Sequence, residues 1–184
     1  LRLSAWSGLA FSHTEALLRH AIDAAITCDA MDDPVEVERH PLFREPYILL
    51  APQFLAPDGM GLRETLAAHG LIRHSARSAM GVQVERHLRR LGLEPPPVLE
   101  LDTSDALLRM VASGVGVAIT SALCPLQAAA GAVRAIPLPG PGFTRDVLLV
   151  GRRGELGALA GRLAALSRGL FASHAMPGIH ALAP

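Results

Sequence analysis

The sequence predicts an α/β protein with mainly parallel sheets. Three observations point there. Short apolar runs of strand length recur along the chain and alternate with segments of helical spacing. The links between these segments are short, as strand–helix–strand units allow. Stop signals such as Pro52, Gly70 and Gly92 fall where the periodic segments end.

Each element follows from its own residues. Leu1–Trp6 alternates apolar and polar residues at its start and is a strand candidate. Ser12-His13-Thr14-Glu15 reads as a capping box, with the Ser12 hydroxyl accepting from the Glu15 amide and Glu15 reaching back. The helix it opens carries Ala16, Leu17 and Ala21 at helical spacing. Ile22–Thr27 is apolar apart from Asp23 and suits a strand covered on both faces. Strand, helix and strand then form a βαβ unit with a parallel pair and a right-handed crossover. Asp29–Arg39 is acidic and loop-like, and Tyr47–Ala51 is an apolar strand that Pro52 stops.

Leu62–His69 is a short helix with Gly70 at its C′ position, and Leu71–His74 is a strand. A helix runs from Met80 to Leu91 with Val84, His87, Leu88 and Leu91 on one face. Pro95–Pro97 is a stiff connector into strand Val98–Leu101. The run from Thr103 to Thr120 is an N-capped helix, a glycine stop at Gly114 and a short apolar strand. Val133–Leu138 and Asp146–Val150 are strands around the turn Pro139–Gly142. The last helix spans Leu156–Phe171 with Leu159, Leu163, Leu166 and Leu170 in a stripe, and the tail from Ala172 is loosely held.

Composition narrows the function. Of 184 residues half are hydrophobic, enough for a core in one domain or two small lobes. Lys plus Arg is 17 and Asp plus Glu is 17, so the basic excess of a free-standing nucleic-acid binder is missing. The densest basic stretch, Arg86, His87, Arg89 and Arg90, lies on one helix and reads as a solvated face. Cys28 and Cys124 are far apart, which suits a reducing compartment rather than a disulfide framework. The eight histidines are scattered, and neither cysteine has a CxxC partner, so no metal site is expected. No Gly-x-Ser-x-Gly occurs, no catalytic residues are nominated, and no cofactor is expected. Gly114-Val115-Gly116 lacks the following helix of a phosphate loop; Gly114 reads as a helix stop and Gly116 as a close backbone approach.

Three segments turn this α/β pattern into a family resemblance: Ala21–Ile26, Pro41–Pro52 and Thr103–Thr120. In this order and spacing they resemble the effector-binding domain of LysR-type transcriptional regulators. The resemblance covers roughly residues 1–171. It implies the type II periplasmic-binding-protein fold, two Rossmann-like lobes joined by two crossing strands, here Tyr47–Ala51 and Val147–Val150. Lobe I would comprise 1–51 and 147–184, and lobe II 52–146. It also implies that the first strand and helix of lobe I are missing from this sequence, along with the winged helix-turn-helix and linker helix that precede them. Asp23 matches a structural position at a strand start.

The implied function is a cytoplasmic ligand sensor, not an enzyme, that binds a small anionic metabolite between the lobes and passes the change to a DNA-binding domain outside this chain. The implied partners are the small-molecule effector and further copies in a homodimer or homotetramer, with no membrane. The Ser12–Ala21 and Val84–Leu91 helices are the interface candidates.

Physics places the ligand at the same spots, because open α/β sheets bind beyond the carboxyl ends of their strands, near helix N-termini. The effector-binding candidates are therefore Ser7, Ala10 and Ser12, then Ser75, Arg77 and Ser78, then Asp102, Thr103 and Ser104. Hydroxyls at these places also serve as helix caps, and Arg77 also suits a solvated surface. Trp6, the only Trp, either walls the cleft or sits in the core, with core packing slightly ahead. Two other classes share the scaffold: a solute-binding protein of a transport system, and an enzyme such as a dehydratase, for which no clustered acid–base pair is found.

Overall fold

The computed structural model describes residues 4–8, 10–28, 36–55, 59–127 and 131–174. In chain order its elements are α1 (Ala10–Leu18), β1 (Ala24–Thr27), β2 (Val37–Pro52), α2 (Leu62–His69), β3 (Leu71–His74), α3 (Ala79–Arg90) and β4 (Pro97–Leu101). Then come α4 (Ser104–Ala112), β5 (Val117–Ser121), a 3-10 turn at Cys124–Gln127, β6 (Val133–Pro137), β7 (Thr144–Arg152) and α5 (Ala158–His174). The chain divides into two compact units, Leu1–Phe43 with Asp146–Arg168, and Arg44–Arg145 with Gly169–Pro184. It crosses from one unit to the other within β2 and β7, which neighbour each other in the strand order.

In the larger unit β3 runs parallel to β4 and β5, whereas β2 runs antiparallel to β5 and β6. The apolar continuity of β5 reflects full burial of all five residues. Alternate residues of β2, namely Tyr47, Leu49 and Ala51, face a core that includes Leu66, Leu71, Leu88 and Ile119. Burying a leucine as completely as Leu88 contributes about 1.5–3 kcal/mol. The apolar face of α3 supplies Val84, His87 and Leu88 to the interior.

Two glycines act through close approach. The α2 helix ends at Gly70 with φ 74°, whose amide donates to Leu66 and whose carbonyl accepts from Val117. A side chain on Gly116 would stand 3.0 Å from that carbonyl, the close approach expected of this residue. Gly81 is tighter still: an added Cβ would lie 2.1 Å from the Ser75 carbonyl oxygen, so α3 rests directly on the end of β3.

In the smaller unit β1 pairs antiparallel with β7, Ala24 opposite Gly151. Its core is Leu17, Val37, Leu148 and Val150, with Ile22 and Ala25 packed on it. Arg152 fastens the end of α1 by donating to the carbonyls of Leu17 (2.8 Å) and Ile22 (2.5 Å). It also pairs with the exposed Asp23, just ahead of β1, at 3.4 Å.

Several expectations are corrected. Residues 4–8 carry no regular structure, so the described part of Leu1–Trp6 is not a strand. The helix starts at Ala10, which places Ser12 inside it rather than at its cap. Among the described residues β1 pairs with the antiparallel β7 and shows no parallel βαβ partner, and the sheets are mixed rather than mainly parallel. Ile26 is 44% exposed, so β1 is not covered on both faces. Trp6 is 53% exposed and not a core residue. The end of the presumed acidic loop, Val37–Arg39, belongs to β2; residues 29–35 lie outside the described ones. The leucine stripe of α5 is on the wrong side: Leu159, Leu166 and Leu170 are exposed, and Ala160 and Ala164 are buried.

Gly81→Ala is expected to destabilise the protein by about 1–3 kcal/mol, because the neighbour it meets is backbone and cannot step aside. Gly161→Ala on α5, where the added Cβ meets nothing, is expected to stabilise by about 0.5–1 kcal/mol. Urea unfolding of both variants checks the pair.

Candidate functional site

The parallel pairing of β3 with β4 and β5 brings the carboxyl ends of three strands to one edge of the larger unit. Two segments leave that edge and enter helices. Ser75–Ser78 leads from β3 into α3, and Asp102–Thr103 leads from β4 into α4. The Ser75 amide donates to the Leu101 carbonyl at 2.8 Å, which ties the two segments together.

Five of the predicted side chains here, Ser75, Arg77, Ser78, Asp102 and Thr103, already have internal partners. Ser78 caps α3, accepting from the Gly81 amide at 2.9 Å and donating to the Ser75 carbonyl at 2.8 Å. The Ser75 hydroxyl accepts from the Arg77 amide at 3.3 Å. Thr103 caps α4 through the Ala106 amide at 3.3 Å. Ser104 opens α4. Arg77 pairs with both carboxylate oxygens of Asp102, at 3.1 and 3.3 Å, and both side chains are largely exposed. An ion pair this open to water contributes about 0–1 kcal/mol and exchanges readily. The capped first turns of α3 and α4 leave further amides without helical partners, as every helix start does.

Beneath this edge lies a polar cluster that sequence reasoning did not assemble. His74 ends β3, and its Nε2 is 3.0 Å from the hydroxyl of Thr120 on β5. The Thr120 hydroxyl donates to Met80 Sδ at 3.4 Å. Burial, aided by the Arg145 charge, lowers the His74 pKa to about 4. The Cys124 thiol is pushed up, chiefly by burial. Glu45, wholly buried, accepts from Arg145 Nε at 2.7 Å and from the Leu123 amide at 2.6 Å. A neutral histidine and a protonated thiol give no activated nucleophile here. No group of three or more candidate metal ligands occurs among the described residues.

His74 and Thr120 are 46 positions apart, and only the β3–β5 pairing joins them. The one sequence signal was their place at strand ends. The remaining predicted residues belong to the smaller unit: Ser7 is exposed in the irregular segment before α1, Ala10 begins α1, and Ser12 lies half-buried on it.

Comparison with known proteins agrees with the geometry. Residues 7–172 match the family model of the LysR substrate binding domain. The reduced regulatory domain of OxyR from Pseudomonas aeruginosa is 21% identical at a TM-score of 0.67, over 88% of this chain and 80% of that one. An OxyR mutant from Corynebacterium glutamicum is 16% identical at a TM-score of 0.75; 93% of this chain aligns, spanning 55% of that protein. The regulatory domain of CcmR from Synechocystis, in complex with 2-PG, is 14% identical at a TM-score of 0.72, over 88% of this chain and 79% of that one. A search of curated proteins finds no sequence match.

Two outcomes test the cluster. Thr120→Val removes the hydrogen-bond partner of a buried ring nitrogen and is expected to cost about 1–3 kcal/mol in chemical unfolding. The native state binds fewer protons at His74 than the unfolded chain. Its share of stability is therefore full above pH 6.5 and falls as pH drops towards about 4, by about 3 kcal/mol in all. His74→Gln should remove that part of the acid slope in melts between pH 8 and 4.

Proposed function

This chain belongs to the LysR substrate-binding-domain family, the ligand-sensing part of LysR-type regulators, and we propose that the carboxyl edge of β3, β4 and β5 holds its effector. The observation that carries the proposal is the joined pair of segments at that edge, each capped, each opening a helix, and tied by the Ser75–Leu101 bond. The effector residues proposed are Ser75, Arg77, Ser78, Asp102, Thr103 and Ser104, with Ser7, Ala10 and Ser12 of the smaller unit. The lobe boundaries proposed, 1–51 with 147–184 and 52–146, put both changes of lobe on β2 and β7.

A small anionic metabolite fits this edge. Helix N-termini favour negative charge, and Arg77 exchanges Asp102 for a ligand carboxylate at little cost. The family relative that carries 2-PG supports a small ligand of this kind. Binding shifts the arrangement of the domain only by its differential affinity for the states involved. We assign the domain no catalytic role. It works in the cytoplasm as a homodimer or homotetramer, and it reaches DNA through a winged helix-turn-helix domain that these 184 residues do not include.

Thermal unfolding against a panel of small carboxylates, amino acids and aromatic acids tests the reading. An effector raises the melting temperature as its concentration grows, and Arg77→Ala weakens an anionic effector about tenfold, the loss of one charge-assisted contact. An effector that binds Arg77→Ala at full strength removes the preference for anions. Sedimentation at micromolar concentration checks the oligomer, and a clean monomer counts against it.

A further inference from the structure

Phe143 is the middle ring of a three-ring stack in the larger unit. Its centroid is 4.0 Å from Tyr47 with the planes 12° apart, and 4.2 Å from His87 with the planes 19° apart. The stack joins β2, the turn before β7, and α3. Backbone and side chain reinforce it: the Tyr47 amide donates to the Phe143 carbonyl at 2.9 Å, and the Tyr47 hydroxyl donates to Gln83 of α3 at 2.7 Å. Tyr47 and Phe143 both sit close to the points where the chain crosses between units.

His87 closes the stack from the α3 side and is 3% exposed. Its Nδ1 faces the Arg90 guanidinium at 3.5 Å, and its Nε2 is buried with no hydrogen-bond partner among the described residues. The other charges on the surrounding elements do not offer it a carboxylate. On α3, Glu85 is held by Arg73 and Arg89, and Arg86 adds positive charge. Beyond Tyr47, Arg145 is paired with Glu45. The β6 side contributes Ile136 and Leu138, and the Pro139–Phe143 turn carries no charge.

We propose that this stack is a proton-sensitive latch: neutral His87 holds α3 to the crossing strands through Phe143, and protonated His87 leaves the stack and frees the Pro139–Phe143 turn. An imidazolium here would aim one N–H at a guanidinium and bury the other unpartnered. Its attraction to the Phe143 face acts on one side only. Burial first, and Arg90 second, hold the His87 pKa below the usual histidine value, so the neutral form is the resting one at neutral pH. The latch itself stands without the sensor function; only its consequence, a pH-dependent bias on ligand response, rests on that reading.

The test is proton titration of the His87 ring and hydrogen exchange of the Tyr47 amide, in the 184-residue chain between pH 8 and 5.5. His74, which titrates near 4, stays neutral across this range. With exchange corrected for its intrinsic pH dependence, protection of the Tyr47 amide should fall as His87 gains its proton, by up to about tenfold per pH unit as the pH drops from the ordinary histidine value of 6.5 towards the lowered His87 midpoint, and should level off below it. His87→Phe keeps a ring in the stack and should show flat protection; His87→Ala should show low protection at every pH. A Tyr47 amide unmoved across the His87 titration overturns the latch, as does a His87→Phe protein that keeps the wild-type fall. The wild-type titration decides the matter even where a variant does not fold. Ligand-induced stabilisation at pH 8 is untouched by either result, so failure of the latch and failure of the sensor reading are told apart.

Discussion

The buried pair of Glu45 and Arg145 constrains much of the larger unit. Glu45 has no contact with solvent, and taking a carboxylate and a guanidinium out of water costs several kcal/mol each. The cost is tolerable only because both carboxylate oxygens are occupied, one by Arg145 and one by the Leu123 amide. The pair thereby locks together β2, β7 and the turn after β5, at the places where the chain passes between units. Its influence extends outward. The Arg145 charge helps keep His74 neutral and lies over the Tyr47 ring, while Glu45 helps hold Cys124 as a thiol.

The candidate site is organised by groups that cap helices and tie its loops together. Ser75, Ser78 and Thr103 satisfy helix starts and loop amides before any ligand arrives. Such capping gives the amides of these turns partners within the protein. The exposed Arg77–Asp102 pair is the replaceable part, since its partners can exchange for water or a ligand at small cost. The buried His74–Thr120–Met80 contacts form the floor, where any missing partner is expensive because the surroundings exclude water.

Local signals read well where one segment decides its own structure. The β3 strand occurs as Leu71–His74 and α2 as Leu62–His69, because an apolar strand run and a glycine stop are local facts. The α3 face of Val84, His87 and Leu88 was legible for the same reason. Local reading failed where neighbours decide. In α5 the leucines look like the packing face, but the small Ala160 and Ala164 are the ones buried, since close approach of a helix favours small side chains. Ser12 looks like a cap, yet the helix begins upstream at Ala10.

The sequence by itself determined the α/β class, the family and the two segments, Ser75–Ser78 and Asp102–Thr103, that leave strand ends for helix starts, because hydrophobic period, caps and glycine stops are written in consecutive residues. It also placed Gly116 at a close backbone approach. Only the tertiary structure decided strand direction, which made β1 and β2 antiparallel to their neighbours. It alone brought His74 to Thr120, Glu45 to Arg145, and Tyr47 and His87 to the two faces of Phe143. Those contacts join residues tens of positions apart, and a chain shows no pattern for them until burial has removed water and left each polar group to find its partner.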